Sequence, residues 1–379
     1  MKNIFKIASL LAAAVMLFAC DKEQTQNGGE GGGEGSLQII SDKDVIQANG
    51  QDAATVKVMF DGKDVTAESV LYDENDNEVI LVDGKFTASA VGEYRFYANY
   101  GTNTTFDKSA EDNGLYVIKA IDVAVPTAAK DDEPENLSFV HRTFLTQYTG
   151  TGCGYCPYMI KQLRELMADK TIPEKAVLAA AHSGYNAADP AAINAPKAPG
   201  GSYPFLQVDL AYGYTHNTGI KALYGLIDQS LSDPAKAGIS VSPAYYEDKD
   251  VLVVKVAVKA AEDGIFNVGA WLLEDEIYGQ QSDYDNVGDD SYDTHENCVR
   301  IADSKYKGTW FGYELGQLAK GEVAEKTFVM NIKDSWVVDN LKLAVFASYG
   351  EADGSRISYT VCNAVYAQID TPTPFEYAK

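Results

Sequence analysis

Two cysteines define the chemistry to be weighed first. In "TGTGCGYCP", Thr149 to Pro157, Cys153 and Cys156 stand two residues apart at the start of a helical pattern. A thiolate, not a thiol, attacks a disulfide. The unpaired N–H groups and positive dipole end of a helix start favour that thiolate. The spacing lets Cys153 form a mixed disulfide and lets Cys156, expected about one turn inside the helix, resolve it. Gly154 and Tyr155 are spacers that leave the first sulfur accessible. Pro157 falls near the limit at which a helix tolerates a missing N–H. Two other readings of the pair are a structural staple and half of a zinc site. Zinc takes four ligands in structural sites and three protein ligands in catalytic ones. The chain has no second Cys-x-x-Cys, and His141, His182, His216 and His295 are scattered. No metal and no cofactor is expected.

The elements that must position the pair are α/β in kind. "LSFVHRTFLTQY" (137–148) is strand-like. Met159, Ile160, Leu163, Leu166 and Met167 then trace one face of a helix. "AVLAAAHS" (176–183) suits a buried strand, "SYPFLQVDLAYGY" (202–214) another, and "GIKALYGLIDQSLSD" (219–233) a second amphipathic helix. The carboxyl ends of strands in open α/β sheets face the ligand side. His182, closing its strand, is therefore placed either as a proton acceptor for the pair or as a satisfied structural histidine.

The flanks are β-rich. Residues 37–123 alternate in short runs, with Asp61-Gly62 and Asp83-Gly84 between them as hairpin signals. Such spacing predicts an immunoglobulin-like β-sandwich, and it resembles the bacterial immunoglobulin-like domains of surface proteins. Residues 124–136, with two prolines and a charge run, read as a linker. Residues 235–369 return to long alternating strands and predict a second β-sandwich, after which 370–379 read as a tail. The fold class is thus multidomain, α/β plus all-β, with the α/β unit at 137–234.

The first 19 residues read as a signal peptide: Lys2 and Lys6, then an apolar run from Ile7 to Phe18 too short to span a membrane. Leu17-Phe18-Ala19-Cys20 is similar to a bacterial lipoprotein cleavage box, in which Cys20 becomes lipidated; an ordinary signal peptide with an incidental cysteine is the alternative. The stretch "DKEQTQNGGEGGGEGS" (21–36) has no apolar side chain and predicts, with Cys20, a flexible tether over 20–36. A net charge of -24 argues against nucleic-acid partners and against a polybasic contact with lipid. A lipid anchor, a tether and globular domains describe a protein held off a membrane outside the cytoplasm.

Export places the remaining cysteines where disulfides persist. Cys298 and Cys362, in or beside strands of the last domain, are expected to form a structural disulfide, worth about 4 kcal/mol by loop closure. Two buried free thiols are the alternative. In "SDYDNVGDDSYD" (282–293), Asp283, Asp285 and Gly288 fit a calcium-loop pattern, but Val287 and Thr294 do not. A solvated acidic loop is expected there.

The run "FLTQY", short loop, Cys-Gly-Tyr-Cys, amphipathic helix, strand and Tyr203-Pro204 resembles the thioredoxin fold. The resemblance implies that Pro204 is cis and faces the cysteines, and that the backbone at Tyr203 pairs with an extended peptide. Tyr155 joins Tyr203 as a candidate substrate contact. The chain departs from thioredoxins in having Gly152 before the first cysteine instead of Trp, Gln147 in place of a buried carboxylate, and no Lys after Cys156.

Gly150 to Pro157, Gly201-Ser202-Tyr203-Pro204 and "YDTHENCVR" (292–300), together with the lipobox and β-rich C-terminal region, resemble a family. These are the Gram-negative outer-membrane lipoproteins named for a twenty-eight-kilodalton member. The expected location is the outer membrane, on its periplasmic face or at the cell surface. The expected function is thiol–disulfide exchange, as an oxidoreductase or isomerase, on protein thiols or disulfides of the envelope or surface. The alternative is a surface lipoprotein that binds a protein or glycan through a redox-inactive scaffold.

Overall fold

The computed structural model describes residues 36–110, 113–182, 188–193, 196–354 and 356–379. The expected signal peptide, the lipidation site Cys20 and nearly all of the tether lie outside the described residues. The chain is mostly β-sheet, arranged in several sheets, with two α-helices among the described residues. None of the described helices is long and apolar enough to cross a membrane.

Residues 37–121 form two sheets over a common core. Val56 and Val58 from Ala53–Phe60 meet Phe96, Ala98 and Ile118 from the facing sheet. The hairpin at Asp61-Gly62 pairs Phe60 with Lys63, and both turn residues have positive φ (48° and 76°). That is the geometry for which Asp-Gly is selected in two-residue hairpins.

The central unit begins with β1 (Thr143–Thr149), followed by α1 (Cys156–Ala168) and β2 (Ala176–His182), with β1 and β2 parallel and in register from Thr143↔Ala176 to Thr149↔His182. Next come β3 (Phe205–Val208), antiparallel to β1, β4 (Tyr212–Tyr214) and α2 (Ile220–Ser230). Every residue of β1 and β2 is buried, which requires cover on both faces. On one side Leu145, Leu178, Leu206 and Val208 pack against Met159, Leu163 and Leu166 of α1 and Leu223 and Ile227 of α2. On the other side Phe144, Tyr148, Val177 and Ala179 meet residues from the C-terminal third of the chain.

That third comprises β5 (Ala237–Tyr246), β6 (Val251–Ala260), β7 (Gly264–Glu274), β8 (Cys298–Asp303), β9 (Tyr313–Leu318), β10 (Val323–Asn331), β11 (Leu341–Asp353) and β12 (Arg356–Gln368). Strands β5, β6 and β10 form a three-stranded sheet. Strands β7, β11 and β12 face it across the largest core, and β7 alternates sides as a strand must. Val268, Ala270 and Leu272 enter that core, while Trp271 and Leu273 point to β1 and β2.

The expected boundary near residue 235 does not divide the sheet. β2 pairs with β8 at Ala180↔Cys298, so one nine-stranded sheet runs β4-β3-β1-β2-β8-β7-β11-β12, with β9 also on β7. A fully buried β2 needs a partner for its second edge, and β8 supplies it. The segment read as a tail is docked as well. Thr373 pairs with Val241, Phe375 is buried, and Tyr377 stacks on Phe139. The linker is held too: Ala129 N–H donates to Ser242 Oγ, and Asp131 meets the buried Lys259 ammonium at 2.8 Å.

Asp209, in the turn after β3, gives this arrangement a pH signature. Burial pushes its carboxyl up to about 6, with hydrogen bonds from Ser230, Phe144 N–H and Thr143 only partly offsetting this. Between about pH 4 and 6 the folded chain holds a proton that the unfolded chain has lost, so this group's contribution falls as pH rises. The carboxylate costs about 3 kcal/mol above that window. Asp209→Asn keeps an acceptor for Phe144 and tolerates the positive φ of 54°. It is expected to raise stability above pH 6 and to flatten the pH dependence between 4 and 6, as read by urea unfolding. An unchanged pH profile would contradict this.

Candidate active site around the cysteine pair

Strand β1 delivers the chain to the cysteine loop at Thr149. The loop closes on itself in two turns, Cys153 N–H to Gly150 O and Cys156 N–H to Cys153 O, both 3.0 Å. Helix α1 starts at Cys156 with Pro157 in its first turn, where the missing N–H costs nothing. Cys153 therefore lies in the turn before the helix, and Cys156 lies at its first residue, not one turn inside. The two sulfurs are joined as a disulfide. Cys153 is 2% exposed and Cys156 is fully buried, whereas Tyr155 between them is half exposed. The expectation of an accessible first sulfur is not met.

The Tyr203–Pro204 peptide bond is cis. Phe205, the next residue, is in register with Tyr148. Pro204 thus sits at the sheet edge from which the cysteine loop departs. Parallel pairing of His182 with Thr149 brings the end of β2 to the same edge.

The two ring nitrogens of His182 are engaged elsewhere. Nδ1 lies 2.9 Å from Asp189 Oδ2, and Nε2 lies 3.8 Å from Cys298 Sγ. All three side chains are buried, and His295 stands edge-on to the His182 ring. Burial alone would raise the Asp189 carboxyl; the His182 contact and backbone N–H donors hold it below its usual range. One of those donors is Thr151 N–H, at 2.8 Å. Asp189 therefore ties the cysteine loop to His182. Of the two readings of His182, proton acceptor for the pair or satisfied structural histidine, these contacts fit the second, with the ring holding the cysteine loop through Asp189. Asp189 was not legible from sequence; an Asp-Pro turn was its only local signal.

The expected bridge between Cys298 and Cys362 is absent: both are free and buried. They lie on β8 and β12, and β7 and β11 stand between those strands in the sheet. Three interstrand steps of about 4.8 Å exceed what a disulfide spans. Burial raises both thiols above their ordinary range. Neither is expected to react with iodoacetamide in the folded protein. After unfolding without reductant, peptide mapping should find both alkylated while Cys153 and Cys156 stay protected. A linked 298–362 peptide would contradict this.

Gln147, on β1, is buried, and its Nε2 has no hydrogen-bond partner among the described residues. No carboxylate stands at that position.

The acidic loop of 282–293 is half-buried to exposed along its length, as expected of a solvated loop, but it is not free of the cysteine site. The short antiparallel pair Ile277–Tyr278 and Thr294–His295 forms its base. From there it crosses the cysteine loop: Ser282 N–H donates to Thr151 O at 2.7 Å and Tyr284 N–H to Gly154 O at 3.1 Å. The buried Gln281 amide lies 3.0 Å from Cys153 O and reaches Gly150 O and Thr151 O at 3.4 and 3.3 Å. The Tyr284 ring packs on Gly154, where a Cβ would come within 2.5 Å of it. Tyr284 also meets Tyr155 edge-on, and Tyr158 donates to Asp285. Among the described residues no group of three or more His, Cys, Asp or Glu is placed to hold a metal ion.

No family model matches the chain, and no curated protein matches it. Among solved structures, HBP35 of Porphyromonas gingivalis is similar to it at 14% identity, over 62% of this chain and 78% of that one, with a TM-score of 0.48.

Proposed function

We propose that this chain is an outer-membrane lipoprotein of the family its motifs resemble, whose thioredoxin-like unit exchanges thiols and disulfides on exported proteins. In this reading the N-terminal sandwich is immunoglobulin-like and serves as a spacer above the lipid on Cys20. The observation that carries the proposal is the Cys153–Cys156 disulfide at the N-terminus of α1, at the sheet edge shared with Tyr203-Pro204.

In the reduced protein, the Cys153 thiolate attacks one sulfur of a substrate disulfide. A bond forms between Cys153 and that sulfur, and the other substrate sulfur leaves as a thiolate. Cys156 then loses its proton and attacks Cys153, re-forming the internal disulfide and releasing the substrate with two thiols. The substrate gains two electrons and the protein loses two; the reverse sequence installs a disulfide. The dipole of α1 lowers the cost of the thiolate at its start. Tyr155, exposed between the cysteines, and Tyr203, beside Pro204, are the proposed substrate contacts.

A second reading is favoured by the burial of Cys153: the disulfide is structural, and the protein binds a surface partner. A single-turnover assay separates the two. The reduced full chain is mixed with a protein carrying one disulfide, and the exchange reading predicts transfer that Cys153→Ser abolishes.

A further inference from the structure

The segment 281–285 lies against the cysteine loop, running from Gln281 to Asp283 before it bends at 284–285. Its alternate N–H groups, at Ser282 and Tyr284, donate to Thr151 O and Gly154 O, and the Gln281 side chain holds Cys153 O. Gly154 has no side chain where the Tyr284 ring rests. Further out, Arg164 of α1 donates to Ser291 Oγ and O at 2.6 and 2.7 Å and lies 4.2 Å over the Tyr292 ring. The excursion from 279 to 293 is closed at its base, where Gly279 N–H donates to Asp293 O and Gln281 N–H to Asp293 Oδ1. It makes these contacts to the same loop whose first cysteine is 2% exposed.

We propose that residues 281–285 are an internal pseudosubstrate strap: they occupy the backbone-pairing edge that an extended, cysteine-bearing peptide substrate uses, and they withhold Cys153 until the strap swings away. The substrate class follows from the occupant. An unfolded or extended segment adds to exposed main-chain groups, whereas a folded surface does not fit beneath the strap. This rests on the exchange reading for its purpose but not for its test. The strap is a polar, loop-built layer on a strand-built core, and such layers open locally at low cost. Its two ends are fixed by the 277–278 and 294–295 pair, so it can lift without unfolding β7 or β8.

The test is the rate at which dithiothreitol reduces the Cys153–Cys156 disulfide in the oxidised full chain, read by acid quench, alkylation and mass spectrometry. One dithiothreitol thiolate attacks Cys153, Cys156 leaves, and the reagent's second thiol closes its ring and frees Cys153. Both protein sulfurs end as thiols. Tyr284→Ala removes the ring from Gly154 at an exposed position and is the deciding variant. It is expected to speed reduction about tenfold, the factor set by loss of roughly one net interaction from the closed state. Gln281→Ala, at the buried anchor, is expected to give a larger increase. Equal rates in wild type and Tyr284→Ala would overturn the strap and leave the exchange reading untouched. Faster reduction without transfer to any protein substrate would support the strap and count against exchange.

Discussion

Cys153→Ser is expected to lower thiol–disulfide exchange on a protein substrate to the uncatalysed background, a fall of at least about a hundredfold, because a hydroxyl cannot enter an S–S bond. Cys156→Ser is expected to lose turnover to a similar extent but for a different reason. Its Cys153 still attacks, and nothing resolves the product, so a mixed disulfide with substrate accumulates. This asymmetry is the informative part. It follows from the proposed roles of the two sulfurs, Cys153 in the turn before α1 as the attacking one and Cys156 at the first residue of α1 as the resolving one. Were the disulfide only structural, both variants would lose the same cross-link, and neither would form an adduct. Intact mass spectrometry under non-reducing conditions reads the adduct directly.

Trp271→Ala is expected to destabilise the fold by about 3–5 kcal/mol, measured as the shift in urea unfolding. Trp271 on β7 is fully buried, and its indole N–H donates to Ser304 Oγ at 2.8 Å. The ring stands edge-on to Phe144 of β1 at 5.2 Å and to Phe346 of β11 at 5.9 Å. The substitution leaves a cavity beside two aromatic neighbours and removes the partner of a buried hydroxyl. The cost falls on the strand that leads to the cysteine loop, although Trp271 lies far outside 137–234 in sequence. Trp271→Phe, which keeps most of the packing, is expected to cost less. A loss below about 1 kcal/mol for Trp271→Ala would show that the C-terminal strands do not buttress β1.

Local signals in the sequence led to local structure. The Asp61-Gly62 turn and the apolar face of α1 could be read because each is written within a few residues, whereas the cis Tyr203-Pro204 bond was implied only by the thioredoxin resemblance. The long-range arrangement could not. The β2–β8 link rests on a single residue pair, Ala180↔Cys298, and no periodicity marks which strand edge will meet which. Cys298 and Cys362 looked like a pair because an exported chain meets an oxidising compartment and neither cysteine has another evident partner, and strand order, which keeps them apart, is not a property of either segment. Residues 370–379 carry too short a pattern to predict docking, yet Phe375 and Tyr377 pack against Phe139.

The cysteine site divides in the same way. Its two cysteines stand in one motif, but the groups that hold the loop arrive from elsewhere. Asp189 follows the end of β2, and Gln281 comes from an acidic loop whose composition suggested solvent. A glutamine amide spanning backbone carbonyls leaves no trace in a sequence pattern. Gly154, which reads as a small spacer between cysteines, is also the seat for the Tyr284 ring.

The most direct measurement is a single turnover. Reduced full-length protein is mixed one to one with a protein that carries a single disulfide, quenched in acid over time, and the redox state of each cysteine is read by differential alkylation. Cys153–Cys156 is expected to re-form as the substrate disulfide opens, one for one, and Cys153→Ser is expected to show neither change. A substrate disulfide that stays closed while Cys153 and Cys156 remain reduced would contradict this.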